Sequence, residues 1–172
     1  MSIDELLENE DALSEGSGLR EVTVYTDGAC TGNPGPGGYG VILIHGDKHR
    51  EISGGFRRTT NNRMELMGAI AALESLRYRC KVTLNTDSSY VCNGIMLGWV
   101  QRWKSKGWRK SDGQPVANVD LWTRLLALQA QQDLTLVWLR GHAGHTENER
   151  CDQLAVQAAK QPNLPEDEGY EG

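Results

Sequence analysis

Three features of the sequence predict an α/β fold built on one mixed β-sheet. Apolar patterning runs in the order βββαβ, then helices, then βα; the first three strand segments are joined by short links; and helical segments separate the later strands. Short links make an antiparallel meander, whereas an intervening helix is the crossover that parallel neighbours need. The sheet is therefore expected to be antiparallel in its first half and parallel where crossovers occur, with helices packed on both faces.

The first strand is EVTVYTD (21–27), which alternates with Val22, Val24 and Thr26 on one face. The segment TGNPGPGG (31–38) is dense in Gly and Pro and reads as a turn. Strands over 39–45 and 50–58 follow, separated by Gly46-Asp47-Lys48. Asn61 and Asn62 open a helix: Asn62 is the expected N-cap, Glu65 stands three residues later, and Leu66, Ile70, Leu73 and Leu76 recur at helical spacing. A strand over 81–86, helices over 88–97 and 119–131, and a strand over 135–140 come next. Thr146 and Glu149 are placed as a capping box that opens a last helix running to about Lys160.

With 172 residues, the chain has room for one domain and modest tails. Charge divides it. Residues 1–19 hold six acids and no base, residues 161–172 hold four acids and no base, and residues 20–160 carry a net charge of +5 although the whole chain is at −5. The expected organisation is an acidic, disordered extension (1–19), a basic folded domain (20–160) and an acidic, solvated C-terminal tail (161–172), with the basic part suited to a polyanion. Uninterrupted aliphatic runs such as Val41 to Ile44 are far too short to span a bilayer. An acidic N-terminal stretch is unlike a secretory or transit leader, so a cytoplasmic protein is expected. Cys30, Cys80, Cys92 and Cys151 show no C-x-x-C spacing, which argues against a zinc site and a disulfide framework.

Four carboxylates occupy telling places. Asp27 ends the first strand, Asp87 follows the fourth, Glu65 lies in the first turn of a helix, and Asp152 in the second turn of the last. Each alone has an ordinary reading as a turn residue, cap or solvated side chain. Together they fall where strand ends and helix starts meet at one sheet edge, the usual site of an open α/β fold. Clustered carboxylates repel unless one keeps its proton or a cation joins them. Mg²⁺, a hard ion that takes a few carboxylates plus phosphate oxygens, fits that need, and two such ions suit phosphoryl displacement. Ser88 and Ser89 lie in no G-x-S-x-G elbow, and glycines 35, 37, 38 and 40 make no Walker A loop.

Five blocks then match a known family in order: YTDGACTGNPGPGGYG (25–40), TTNNRMELMGAIAALE (59–74), TDSSYV (86–91), a Trp-rich basic segment with NVDLW (118–122), and GHAGHTENERCDQLA (141–155). The chain resembles bacterial type 1 ribonuclease H, which cuts the RNA strand of RNA/DNA hybrids. The resemblance implies a five-stranded sheet of order 3-2-1-4-5. It also implies hydrolysis to 5′-phosphate and 3′-hydroxyl ends with little sequence preference, two Mg²⁺ ions (Mn²⁺ a possible substitute), and Asp27, Glu65, Asp87 and Asp152 as metal-binding carboxylates. His142 matches the family's mobile-loop histidine. Between flanking glycines it could move protons without holding metal, and the resemblance favours it over His145.

The segment with Trp99, Arg102, Trp103, Lys104, Lys106, Trp108, Arg109 and Lys110 interleaves indoles with cations. Its tryptophans are expected to pack locally and its cations, with Arg124 farther on, to meet phosphates without reading sequence. In the family this is the basic protrusion on the DNA strand, though Gly113, Gln114 and Ala117 are uncharged here. An RNA strand is told from DNA by its 2′-hydroxyl. Backbone groups of Gly28 and Cys30 and the amides of Asn33, Asn61 and Asn62 suit that reading, and Thr60 at a helix start suits a DNA phosphate. Rival readings are a non-catalytic hybrid-binding module, which leaves the four acids unexplained, and a resolvase- or integrase-like nuclease on DNA, which the Asn- and Gly-rich contact set disfavours. The expected protein is a monomer; Leu6, Leu7 and Leu13 could let the extension dock a partner protein.

Overall fold

The computed structural model describes residues 18–140 and 145–172. Its elements are β1 (Arg20–Cys30), β2 (Gly35–His45), β3 (Lys48–Thr59), α1 (Asn61–Glu74), β4 (Cys80–Thr86), α2 (Ser89–Met96), α3 (Trp99–Ser105), α4 (Val119–Gln131), β5 (Asp133–Trp138) and α5 (Thr146–Ala159). The five strands form one sheet in the order β3-β2-β1-β4-β5. Neighbours β1/β2 and β2/β3 are antiparallel, while β1/β4 and β4/β5 are parallel, as the connecting helices require.

Strand alternation sends side chains to two cores. Val22, Val24, Val41, Leu43, Val82 and Leu84 join α1 and α4 residues such as Leu66, Ile70 and Trp122 in the main core. Tyr25, Ile42 and Ile44 point the other way and meet Cys151 and Leu154 of α5. Close approach of α5 explains two strand glycines. A Cβ on Gly38 would come within 2.3 Å of the Ala155 carbonyl, and one on Gly40 within 2.3 Å of the Cys151 carbonyl.

That packing corrects the 31–38 turn. β1 and β2 continue through most of it, pairing Ala29 with Gly38 and Cys30 with Gly37, and only residues 31–34 turn. Glycine punctuates loops, but these glycines sit in a strand because a helix lies against them. Helix starts are corrected too. Thr60, not Asn62, caps α1 through its hydroxyl, which accepts from the Arg63 N–H at 3.3 Å. His145 is the N-cap of α5 with no side-chain cap bond, so Thr146 and Glu149 stand inside the helix instead of forming a box. The basic helix stops at Ser105, since Gly107 and Trp108 both adopt positive φ (68° and 61°).

The C-terminal tail departs most from expectation. Instead of being wholly solvated, it returns to the domain, where the Asp167 carboxylate accepts from Arg63 Nε at 2.6 Å and from Thr59 Oγ1 at 2.7 Å. Asp120 takes two further Arg63 bonds at 2.9 and 2.7 Å, and Asn118 another at 3.2 Å. A buried guanidinium demands such partners, and one acid of a tail that composition marks as solvated supplies them.

Candidate active site

Register alone places the first two carboxylates. Thr26 pairs with Thr86 in the last step of the parallel β1/β4 ladder, so the next residues, Asp27 and Asp87, lie side by side where that ladder ends. Asp87 follows β4 as expected, but Asp27 does not end β1, which runs on to Cys30 because it stays paired with β2. Gly28 lets α1 approach: a Cβ there would lie 2.7 Å from the Glu65 nitrogen. Its absence brings Glu65, in the second turn of α1, against the strand end. Carboxylate oxygens of Asp27, Glu65 and Asp87 lie within 4.8 Å of one another. Asp152 of α5 completes the lining of a cavity of about 520 Å³, together with Gly28, Cys30, Asn61 and Asn62.

The cluster is electrostatically unsatisfied. Asp27 is only 3% exposed and Glu65 7%. Burial, reinforced by the Asp87 and Asp152 charges, pushes the Asp27 carboxyl up to about 8. Burial and the charges of Asp27 and Asp87 likewise hold Glu65 well above the usual carboxylate range. Asp27 Oδ2 and Glu65 Oε2 are buried with no hydrogen-bond partner among the described residues. Buried acceptors of this kind call for a positive partner, and oxygen donors suit a hard divalent cation.

The other expected contact residues divide among three places. Gly28, Cys30, Asn61 and Asn62 line the carboxylate cavity. Asn33, Thr60 and Asn62 line a groove of about 850 Å³ beside it, where Asn33 Oδ1 accepts from the Asn61 N–H at 3.1 Å. Trp99, Arg102, Trp103, Lys106, Arg109 and Lys110 surround a hollow of about 350 Å³ on and after α3. Lys104 is exposed and does not line it. Trp103 and Trp108 pack on the main core, as expected for the indoles. Arg124 belongs elsewhere, because it pairs with Glu74 at 2.7 Å. His142 lies outside the described residues.

The ribonuclease H family model matches residues 19–160. The chain belongs to the ribonuclease H family. It is 55% identical over 154 residues to the ribonuclease H of Desulforamulus reducens, covering 90% of this chain and 97% of that one. Among solved structures it is similar to LC9-RNase H1, described as a type 1 RNase H with the type 2 active-site motif, at 34% identity and a TM-score of 0.73, covering 85% of this chain and 74% of that one. It shares its fold with LC11-RNase H1, solved in complex with an RNA/DNA hybrid, at 24% identity and a TM-score of 0.60 over 80% of this chain and 96% of that one. The chain is thus an enzyme, a ribonuclease H, and its acidic cluster is compatible with a divalent metal ion.

Sequence reasoning missed three features of the site. Ser88, not the neighbouring Asp87, caps α2, its hydroxyl accepting from the Val91 N–H at 3.2 Å. Tyr90 lines the cavity, and its hydroxyl accepts from Asn118 Nδ2 and Trp122 Nε1, both at 3.0 Å. Trp138 donates its indole N–H to the Asp87 carbonyl at 3.2 Å. The adjacency of Ser88 to Asp87 could have signalled the first; the others join residues about 28 to 51 positions apart and left no local trace. Among the described residues no helix is long and apolar enough to cross a membrane.

Proposed function

We propose that this ribonuclease H hydrolyses the RNA strand of RNA/DNA hybrids with little sequence preference, leaving 5′-phosphate and 3′-hydroxyl ends. The observation that carries the reading is the convergence of Asp27, Glu65 and Asp87, with a buried, unpartnered oxygen on each of the first two. Those orphaned oxygens fit divalent cations, and the four carboxylates would hold two Mg²⁺ ions, with Mn²⁺ as a substitute. Such ions, when bound, polarise a phosphodiester and lower the pKa of water.

The chain's own groups do the rest. Asp27 and Glu65, whose charges the folded site disfavours, would hold the cations together with Asp87 and the exposed Asp152. Gly28, Cys30, Asn61 and Asn62 line the same cavity, where the backbone groups of the first two and the side-chain amides of the last two are suited to reading the 2′-hydroxyls that mark the RNA strand. Asn33 and Thr60 line the adjoining groove; the Asn33 amide, next to Asn61, is suited to the same RNA 2′-hydroxyls, and Thr60 is suited to a DNA phosphate. Because the Thr60 hydroxyl accepts from Arg63, its O–H remains available to a phosphate. The cations Arg102, Lys104, Lys106, Arg109 and Lys110, with Trp99 and Trp103 as their scaffold, supply sequence-independent affinity. His142 assists proton movement or product departure without holding metal.

The reading takes the enzyme as a monomer, since one chain carries all four carboxylates, and as cytoplasmic, where its four free cysteines would stay reduced. A docking role for the N-terminal extension rests only on its leucines and charge; residues 1–17 lie outside the described residues. The test is incubation of the whole chain with an end-labelled hybrid, a DNA duplex, an RNA duplex and single-stranded RNA, with Mg²⁺ and with chelator. Cleavage of the hybrid's RNA strand alone, and only with metal, is expected; equal cutting of the DNA duplex or undiminished activity in chelator overturns the reading.

A further inference from the structure

The end of β5 carries an arrangement that the carboxylate site does not use. Thr86 pairs with Trp138 across the parallel β4/β5 ladder, and the Leu139 N–H continues the pairing by donating to the Thr86 carbonyl at 2.8 Å. Trp138 therefore lies beside the strand end from which Asp87 emerges. Its indole N–H is spent on the Asp87 carbonyl at 3.2 Å, while the residue remains 44% exposed. Over that indole stands Arg140, its Cζ 5.1 Å from the ring centroid.

A contact with a π face consumes none of the guanidinium's N–H donors, which lie in its plane. The Arg140 side chain makes no hydrogen bond or ion pair to any described residue, unlike Arg57, Arg63, Arg124 and Arg150, each of which faces a carboxylate. An exposed cation is thus held in place by a ring, next to a catalytic-edge strand, with its bidentate fork unspent. Holding it in advance reduces the ordering cost of binding. The ligand that matches a planar fork beside a phosphodiester site is another phosphate. In the sheet order, β5 also lies on the side of β4 away from β1, so Arg140 flanks Asp87 opposite Asp27.

We propose that Arg140, held on the indole of Trp138, grips a backbone phosphate of the cleaved strand next to the one being cut. The proposal rests on the hybrid reading. Neither residue holds metal or takes part in the chemistry; Arg140 binds substrate, and Trp138 positions Arg140.

The test compares the whole chain with Arg140→Ala, Arg140→Lys, Trp138→Leu and the double variant Arg140→Ala/Trp138→Leu, measuring kcat and KM on a mixed-sequence hybrid across a salt series with Mg²⁺. Arg140→Ala should raise KM by roughly three- to tenfold, leave kcat within about twofold, and reduce the salt slope by about one unit, the signature of one phosphate no longer neutralised. Arg140→Lys should keep the slope but recover only part of the KM, since a point charge lacks the fork. Trp138→Leu should raise KM similarly, and the double variant should be no worse than Arg140→Ala alone. An unchanged KM and slope in Arg140→Ala, or a fall in kcat alone, overturns the proposal, and because this exposed side chain has no structural partner but Trp138 among the described residues, misfolding does not cloud that result. An additive double variant overturns the role given to Trp138. If the unsubstituted chain fails to cut hybrid, the hybrid reading falls instead, so the two failures are separable.

Discussion

Asp27 shows how burial and charge act on a single group. In the metal-free protein, burial beside Asp87 and Asp152 raises its carboxyl from 3.8 to about 8. A carboxyl raised on folding contributes stability that is complete below its unfolded pKa and is lost as pH rises through the folded one. In chelator, the melting temperature of the unsubstituted chain should therefore fall progressively below that of Asp27→Asn between about pH 4 and pH 8. By pH 8 the gap should reach several degrees, at about 2–4 °C per kcal/mol for a chain of this size. Saturating Mg²⁺ should close it by favouring the charged form. Calorimetry over that pH series checks the sign, and a gap that does not open means burial does not govern Asp27. The same substitution should lower hybrid cleavage by at least about 100-fold, because a group that fixes charge at the reacting phosphate has no substitute in solvent.

His142 belongs to a different class of residue. A general acid or base contributes about 10² to 10⁴-fold, and water can partly replace it. His142→Ala should bind hybrid nearly normally, lose turnover more than affinity and keep measurable activity, while His145→Ala should be much milder. Turnover and Michaelis constants for both variants across about pH 5 to 9, where an imidazole changes charge, decide the matter. A larger defect in His145→Ala would withdraw the assignment.

At the scale of elements, the basic segment behaves as a short helix with an irregular continuation. α3 ends at Ser105, and the Trp108 N–H turns back to the Trp103 carbonyl at 2.7 Å. The indoles anchor it: Trp103 meets Trp122 edge-on at 6.3 Å and Trp99 at 6.3 Å. Anchored aromatics leave the cations outside. Joint neutralisation of Lys104, Lys106 and Arg109 to Gln should weaken hybrid binding about equally for unrelated sequences and reduce the salt slope by roughly one unit for each phosphate left without its cation. Filter or fluorescence binding across a salt series reads both effects, and an unchanged slope would leave these cations as a solvated surface.

At the scale of the whole molecule, Arg63 joins the C-terminal tail to the domain. Its five donors are all used, two on Asp167, two on Asp120 and one on Asn118, and Thr59 adds a hydroxyl on the Asp167 side. Burial by itself would raise the Asp120 carboxyl, but the two Arg63 bonds hold it below its ordinary value. A chain ending at residue 160 keeps every proposed site residue yet leaves the Asp167 side of this buried guanidinium unpaired. We expect it to cut hybrids below its melting temperature while losing about 1–3 kcal/mol of stability. Asp167→Ala in the full chain should reproduce most of that loss, and urea titration of the three proteins measures it. Equal midpoints would mean that the tail contact carries no net stability.

Strand identity, helix positions, the mixed sheet and the four carboxylates were legible by sequence because each depends on local pattern: alternation in residues 21–27, helical spacing from Leu66 to Leu76, and acids at element ends. The order 3-2-1-4-5 and the chemistry came from a resemblance carried by five separated blocks. Tertiary structure alone decided what depends on one element touching another. It made strands of Gly37 and Gly38, because Met64 of α1 lies against the first and α5 over the second. It gave the α1 cap to Thr60. It raised Asp27 and Glu65 by burying them together, and it drew Asp167 out of an acidic tail to meet Arg63. It also set Trp138 against Asp87, 51 residues away in the chain. Local sequence determines which backbone conformation a segment prefers, but burial, pairing of charges and close approach are properties of neighbours that only the folded chain brings together.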